Sequence, residues 1–400
     1  MKILRNNMNK LPFYIFYFGL TIELLLIVID KSAIPLTPEG HIYRLTFALF
    51  CLKICFTKYT KKEWIWLIAF VVFTLIMYRI TGLNLALRAV VFVAAMSDVP
   101  LKQMMKYALL LISTGSLIIV VLSFFNIGRE IKTVDVFRGE FYETRYSFGM
   151  GHPNSFHFMV LLIIILFLYI YFEKINSIII GLLFLGHFGL YLLTDSKTGF
   201  IVCSMLISGA LIFKLCDKLC QCSWIYYMGM MIFVFCIGVS VWAAAVSIDA
   251  WSNPFISQID NLFSGRIKNL YWDSHVRAGT LNTWTLFADR ANYVYEYNFD
   301  MGWVRMFYWF GIIPGLVFCI MFLLLLNECR RQKNFMGLLL ITIFSIYTVV
   351  EPQMMYYMLG RNYLLFLFGA YWGQMLLADE GDIVNWWGLS KTIKRYRNES

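Results

Sequence analysis

Apolar residues recur along the chain in blocks of about 15–23, close to the length that crosses a hydrocarbon layer of about 30 Å. Short polar segments separate these blocks. The pattern predicts twelve membrane spans, at residues 11–29, 45–57, 64–78, 80–96, 107–125, 155–172, 177–193, 198–215, 224–246, 304–326, 335–350 and 363–378.

The composition supports this interpretation. Of the 400 residues, 60% are hydrophobic and 14% are charged, whereas a soluble domain carries roughly 25% charged residues. The first block, Leu11 to Ile29, is too long for the core of a signal peptide and lacks a small-residue cleavage site. We therefore predict an all-α polytopic membrane protein with about 12 transmembrane helices.

Three charged residues lie well inside predicted spans, away from the span ends. Lys53 and Arg88 weaken the second and fourth spans, so that either segment is a candidate for a re-entrant or tilted helix. Glu23 lies in the first span, where it either faces a neighbouring helix or extends towards the head groups.

The distribution of basic residues predicts the orientation. If both termini are cytoplasmic, the inner segments hold most of the Lys and Arg residues and the short outer loops hold few, as the positive-inside rule requires. All nine cysteines then fall in spans or inner loops, so no disulfide framework is expected. The formal charge of +10 is explained by topology and does not indicate a nucleic-acid partner.

The spans divide the chain into five segments, and two outer loops have room for chemistry. The segments are residues 1–126 with spans one to five, 127–246 with spans six to nine, a large outer loop 247–303, 304–378 with the last three spans, and a basic cytoplasmic tail 379–400. The two roomy loops are 126–154 and 247–303, the second being far longer than a connection needs.

Polar residues precede four later spans that begin on the outer side. His152 and Asn154 stand before one span. Helix N-termini favour anions, and arginine forks match phosphate oxygens. We therefore predict a phosphate pocket that includes the cations Arg145, Lys197, Arg266 and Arg361. The alternative is that these residues are ordinary helix caps and head-group anchors.

The large loop contains the stretch FSGRIKNLYWDSHVRAG from Phe263 to Gly279. It places Arg266, His275 and Arg277 among aromatic residues, a mixture that suits sugars and that an amphipathic surface helix also shows.

The stretch RYSFGMGHPN, followed by LLTDSKTG at the next outer turn, resembles the O-antigen ligase and polysaccharide polymerase (Wzy-type) superfamily. The resemblance covers about residues 145–365 and includes the SGR of the large loop, NFDMGWVRMFYWFGIIPG, Glu351 and Asn362. Lys197 stands where an arginine is usual. Asp300 stands where ligases carry a histidine, which favours a polymerase of the Gram-positive capsule or exopolysaccharide type.

This resemblance implies a GT-C-like architecture and glycosyl transfer outside the bacterial cytoplasmic membrane. The donor and acceptor are oligosaccharide repeat units on undecaprenyl diphosphate. Arg145, Arg266 and Arg361, assisted by Lys197, stabilise the leaving diphosphate, and an apolar groove holds the polyprenyl tail. Asp300 is the expected base and His275 the second choice. The implied partners are membrane lipids, a flippase and a chain-length regulator.

The outer segments contain no D-x-D or His-rich cluster, so we expect no metal or other cofactor. Three alternative functions are open at this stage: a ligase that transfers finished polymer, a flippase or transporter of lipid-linked oligosaccharides, and a membrane scaffold without chemistry. Against a transporter stand the lack of an internal repeat and the long outer loop.

Overall fold

The chain folds into a bundle of antiparallel helices in the computed structural model, which describes residues 10–35, 39–138, 141–271, 279–288, 300–356, 358–376 and 383–384. The helices are α1 (Leu11–Lys31), α2 (Glu39–Phe56), α3 (Lys61–Thr81), α4 (Leu85–Met96), α5 (Leu101–Phe124), α6 (Pro153–Tyr171), α7 (Ser177–Thr194), α8 (Lys197–Leu215), α9 (Asp217–Gln221), α10 (Ser223–Val246), α11 (Pro254–Leu262), α12 (Gly302–Phe310), α13 (Ile312–Arg331), α14 (Phe335–Val350), α15 (Leu364–Ala370) and α16 (Trp372–Met375).

Short 3-10 turns and two small antiparallel sheets complete the described structure. The turns are Asp249–Trp251, Lys268–Leu270, Leu281–Thr283, Gln353–Met355 and Leu359–Arg361. The strands are β1 (Tyr59–Thr60), β2 (Lys132–Arg138), β3 (Phe141–Tyr146) and β4 (Ile383–Val384), with β1 paired to β4 and β2 paired to β3.

Eight of the described helices are long and apolar enough to cross a membrane, and α4 and α14 are shorter apolar helices. Helices α6 and α14 are mostly buried inside the bundle, whereas α3 and α7 expose most of their apolar side chains. Apolar surface of this extent on long helices suits a lipid environment. The predicted class, an all-α polytopic membrane protein, is therefore confirmed at this level.

Side-chain contacts join the connections between helices into two groups, one at each end of the bundle. At one end, which we call the Arg145 end, Arg145 contacts the C-terminus of α7 and Arg266 contacts the C-terminus of α14. At the other, the Lys333 end, Lys214 bonds to Phe172 O at 3.1 Å and Lys333 bonds to Gln221 O at 2.8 Å. Residues of predicted outer segments thus contact one another at the Arg145 end, and residues of predicted inner segments contact one another at the Lys333 end.

Several helices differ in their bounds from the predicted spans, among them 363–378, which is divided into α15 and α16. Two of these differences have a clear local cause. Helix α3 stops at Gly82, whose φ of +75° favours glycine. Span 304–326 is broken at Gly311, whose φ is +99° and where an added Cβ would lie 2.6 Å from Phe287 Cα. Packing against residues 285–288 of the large loop therefore divides this span into α12 and α13.

The two charged residues in the weak spans lie in regular helices. Lys53 in α2 donates to Asp98 at 2.7 Å, and Arg88 in α4 donates to Glu23 at 2.9 Å. Glu23 thus faces neighbouring helices, the first of the two alternatives. Helix α4 has 12 residues, which rise only about 18 Å, so it is shorter than a complete crossing.

Candidate functional site

The two sequence motifs at the Arg145 end are hydrogen-bonded to each other. Arg145 at the end of β3 donates from Nη1 to the carbonyl of Asp195 at 3.1 Å, and Ser196 Oγ donates to Asn154 Oδ1 at 2.8 Å. Asp195 makes this possible because its φ of +42° turns the chain sharply between α7 and α8. The arginine, the asparagine and the TDSKTG turn therefore form one structural unit.

Glycines between Arg145 and α6 bring this unit close to α5. Gly149 has φ +79°, and a Cβ there would lie 2.7 Å from Ser123 Cβ. Gly151 has φ +76°, and the guanidinium of Arg129 packs directly against it. Larger residues would be strained at both positions, and at Gly151 they would displace Arg129 from the site.

His152 caps α6. Its Nδ1 accepts the backbone N–H of Asn154 at 3.1 Å. The stretch before α6 is therefore a helix cap, as the alternative interpretation expected, and the capping side chain is the histidine. Burial lowers the pKa of His152, and the charges of Arg145 and Lys31 lower it further. A neutral imidazole is what this cap requires, because Nδ1 must carry a lone pair.

Arg361 is held rigidly in the segment between α14 and α15. Its guanidinium carbon lies 4.0 Å from the ring centres of both Phe158 and Tyr356. Its Nε and Nη2 donate to Gln353 Oε1 at 2.9 and 2.6 Å. Burial lowers the pKa of Arg361, an effect opposed by nearby groups that include Asp30 and Glu351. The result is a fixed cation in a largely apolar setting.

A tight turn in the large loop presents Arg266. Asp260 is buried, and its Oδ1 accepts the backbone N–H groups of Ile267 at 2.8 Å and Lys268 at 3.3 Å. Ser264 and Gly265 both have positive φ, at +55° and +80°. The SGR sequence therefore forms a turn that Asp260 stabilises.

Arg266 lies between two carboxylates. Its Nη2 donates to Glu351 Oε1 at 2.8 Å, and its Nε lies 3.6 Å from Asp300 Oδ2. Gly302 allows the start of α12 to pass close to the backbone of Glu351, since a Cβ at Gly302 would lie 2.9 Å from Glu351 O. Burial raises the pKa of Glu351; Arg266 opposes this shift and Asp300 adds to it. Arg266 is therefore part of an acid–base cluster rather than an open anion site.

Lys31 and Arg129 join the site, and the sequence analysis did not assign them to it. Lys31 ends α1, pairs with Asp30 at 2.7 Å, and lies close enough to Arg361 and Arg129 for their charges to repel. Their position in the sequence could have indicated them, because both residues flank predicted spans on the outer side. Lys31 is within range of the charges of Arg361 and Arg129, and His152 is within range of the charges of Lys31 and Arg145. We call Lys31, Arg129, Arg145 and Arg361 the four-cation group.

The other predicted site residues have different positions. Lys197 begins α8 with an exposed side chain, and the described part of the chain gives it no ion-pair or hydrogen-bond partner. Lys197 directly follows Ser196, whose hydroxyl donates to Asn154, and its assistance to the site stays a prediction. His275 and Arg277 lie outside the described residues.

An apolar groove begins beside the Arg361 segment. Its volume is about 170 Å³, and it lies between α3, α4, α12, α13 and α15. Residues lining its wall include Phe73, Met77, Val93, Phe310, Met321 and Phe368. Tyr356, Leu359 and Asn362 form its edge next to Arg361. A cationic group and a hydrocarbon-lined groove therefore share one short segment of chain.

Among the described residues, no three His, Cys, Asp or Glu side chains are grouped closely enough to hold a metal ion. Comparison with models of protein families, with curated proteins and with solved structures finds no match to this chain.

Proposed function

We propose that this chain is a membrane glycosyltransferase of the Wzy-type polymerase group, which joins undecaprenyl-diphosphate-linked repeat units into capsule, exopolysaccharide or O-antigen. One observation carries the proposal: Arg361 belongs to a four-cation group, and its neighbours Leu359 and Asn362 line an apolar groove. An amphiphile with a charged diphosphate and a long hydrocarbon chain matches both parts.

The site suggests a division of roles. Lys31, Arg129, Arg145 and Arg361 bind the donor diphosphate, and they stabilise its charge as the bond to the anomeric carbon breaks. Arg266 and its two carboxylates face the acceptor. Asp300, which is half exposed, takes the proton from the attacking sugar hydroxyl, and the new glycosidic bond forms at the donor carbon.

Glu351 is the strongest described alternative to Asp300 as the base. Burial raises the pKa of its carboxyl, and a carboxylate with a pKa nearer neutrality is a better proton acceptor. His275, the second choice from the sequence, remains a candidate on the large loop.

The proposal includes an orientation in the bacterial cytoplasmic membrane. Both termini are cytoplasmic, and the Arg145 end faces outwards, where exported lipid-linked units are found. The distribution of basic residues supports this orientation. A flippase supplies the substrate, and a chain-length regulator is a second expected partner.

Deleting the gene tests the proposal in cells. Loss of a polymerase leaves single lipid-linked repeat units on the outer face, and adding back the intact gene restores long chains. Single units confined to the inner face would instead indicate a flippase. Long chains that are not attached to their final acceptor would indicate a ligase, and an unchanged polymer would refute all three activities.

A further inference from the structure

A polar cluster lies inside the bundle, away from the charged site. Glu23 on α1 and Thr46 on α2 are completely buried, and Arg88 on α4 is 3% exposed. Glu23 Oε1 accepts from Thr46 Oγ1 at 2.6 Å and from Arg88 Nη2 at 2.9 Å. The guanidinium of Arg88 lies 4.0 Å from the centre of the Tyr43 ring. Three helices are therefore joined at one carboxylate.

The second oxygen of that carboxylate reaches the segment that carries Arg361. Glu23 Oε2 accepts the backbone N–H of Leu359 at 3.3 Å. Gly360 packs against the same residue, since a Cβ there would lie 3.2 Å from Glu23 O. Backbone groups outside regular helices need such partners inside a membrane, where water is scarce. Glu23 thus supplies a hydrogen bond that the 3-10 turn Leu359–Arg361 cannot make internally.

We propose that Glu23 and Arg88 act as positioning residues, which hold the Leu359–Arg361 turn where its arginine meets the diphosphate and its Leu359 borders the groove. This inference rests on the proposed function for the identity of the ligand. Arg88 fixes the carboxylate of Glu23, Glu23 fixes the amide of Leu359, and the turn sets the direction of Arg361. The hydrogen bonds in this path cross from α4 through α1 to the turn.

Stability alone is a poor explanation for this pair. Removing two charges from water is unfavourable, and replacing a buried ion pair with apolar residues of similar size is often neutral or stabilising. Charged residues within membrane segments usually mark function. If the Glu23–Arg88 pair serves positioning, a variant with apolar residues in its place should fold normally but have a lowered kcat.

Two double variants separate the carboxylate's hydrogen bond from its charge. Glu23→Leu with Arg88→Met removes both charges and the acceptor for Leu359. Glu23→Gln with Arg88→Met also removes both charges but keeps an amide oxygen at the same position. The matched control is Lys53→Met with Asp98→Asn, which removes the 2.7 Å ion pair between α2 and the turn after α4.

The purified full-length variants in lipid nanodiscs are compared by hydrogen exchange at Leu359 and by binding of undecaprenyl diphosphate. The kcat for extension of lipid-linked repeat units, purified from cells lacking the gene, is measured separately from KM. We expect the Leu–Met variant to exchange Leu359 at least about tenfold faster and to lose about 100-fold in kcat, as a small misplacement of a positioning group does. The Gln–Met variant keeps the acceptor for Leu359 but loses Arg88, so we expect its exchange and kcat to lie between those of the Leu–Met variant and the wild type. The control retains wild-type values.

Wild-type exchange and kcat in the Leu–Met variant would overturn the inference while leaving the proposed function intact. Failure of the wild-type protein to bind undecaprenyl diphosphate would instead count against the proposed function. If the Leu–Met variant does not fold, Gly360→Ala provides the test. Its methyl group would lie 3.2 Å from Glu23 O, so it shifts the turn against α1 by a few tenths of an ångström and leaves both side chains of the ion pair in place. We expect a several-fold lower kcat and faster exchange at Leu359, and wild-type values for both would refute the positioning role.

Discussion

Replacing Arg361 with glutamine removes the cation that links the groove to the charged site. The change leaves Gln353 Oε1 without its two donors, at 2.9 and 2.6 Å, which costs about 1–3 kcal/mol for a buried acceptor. Loss of stacking on Phe158 and Tyr356 adds about 0.5–2 kcal/mol for each ring. Relief from burying a guanidinium offsets part of this, so we expect a net destabilisation of about 1–3 kcal/mol.

The effect on catalysis should be larger than the effect on stability. Removing one fixed donor from a leaving group typically lowers kcat by about 10²–10³-fold. Arg361→Lys keeps the charge but loses the fork and the double stacking, so we expect an intermediate loss of about tenfold. The assay measures the extension rate of lipid-linked repeat units by purified protein in nanodiscs, together with thermal unfolding of each variant.

A matched control is available at the opposite end of the bundle. Arg330 stacks on Tyr227 at 5.1 Å and donates to Asn327 at 2.9 Å, so Arg330→Gln removes a similar set of contacts far from the site. We expect this variant to retain wild-type kcat. A wild-type kcat for Arg361→Gln, in a protein that still folds, would refute the role given to Arg361.

Three further predictions concern the same site. Arg145→Ala should abolish polymer and cause single lipid-linked units to accumulate, and normal chain lengths would refute diphosphate binding by the four-cation group. Arg266→Ala should have the same outcome through loss of the acceptor site, and normal chain lengths would refute that role. Asp300→Asn should stop elongation. If Glu351 is the base instead, activity survives and the acid limb of the kcat/KM profile moves to lower pH, because the charge of Asp300 raises the pKa of Glu351. The pKa of His152 is lowered in the folded state, so its contribution to stability is complete above its ordinary pKa of about 6.5 and is lost as pH falls through the folded value. Thermal unfolding against pH should show this acid loss, and His152→Asn, which keeps an acceptor for the cap, should reduce it; an unchanged pH dependence would contradict the neutral-cap assignment.

Most of the helical architecture was predictable from the sequence, because a membrane-crossing helix needs a long apolar run and little else. The helices around Phe158 and Leu206 follow such runs closely. The exceptions depend on contacts. Gly311 ends a helix where the large loop packs against it, and α4 is shortened by the turn at Gly82. No local pattern within an apolar run reveals such contacts.

The candidate site was predictable only in part, for a similar reason. Polar residues before outer helix starts pointed to Arg145, His152 and Asn154, and the structure places these together with the Asp195 turn. Which charges neutralise one another depends on distant pairs, such as Arg266 with Glu351. The sequence analysis gave Lys31 and Arg129 no role, and the proximity of Lys31 to Arg361 and to Arg129 is a property of the folded bundle.

The central claim is that cations at the Arg145 end hold a lipid-borne diphosphate while a sugar hydroxyl displaces it. The most direct measurement incubates purified wild-type protein in nanodiscs with undecaprenyl-diphosphate-linked repeat units and sizes the products. We predict a ladder of polymers that lengthens with time, with release of undecaprenyl diphosphate in equal number to the bonds formed. Repeat units that remain single, in a folded protein to which they bind, would contradict the account.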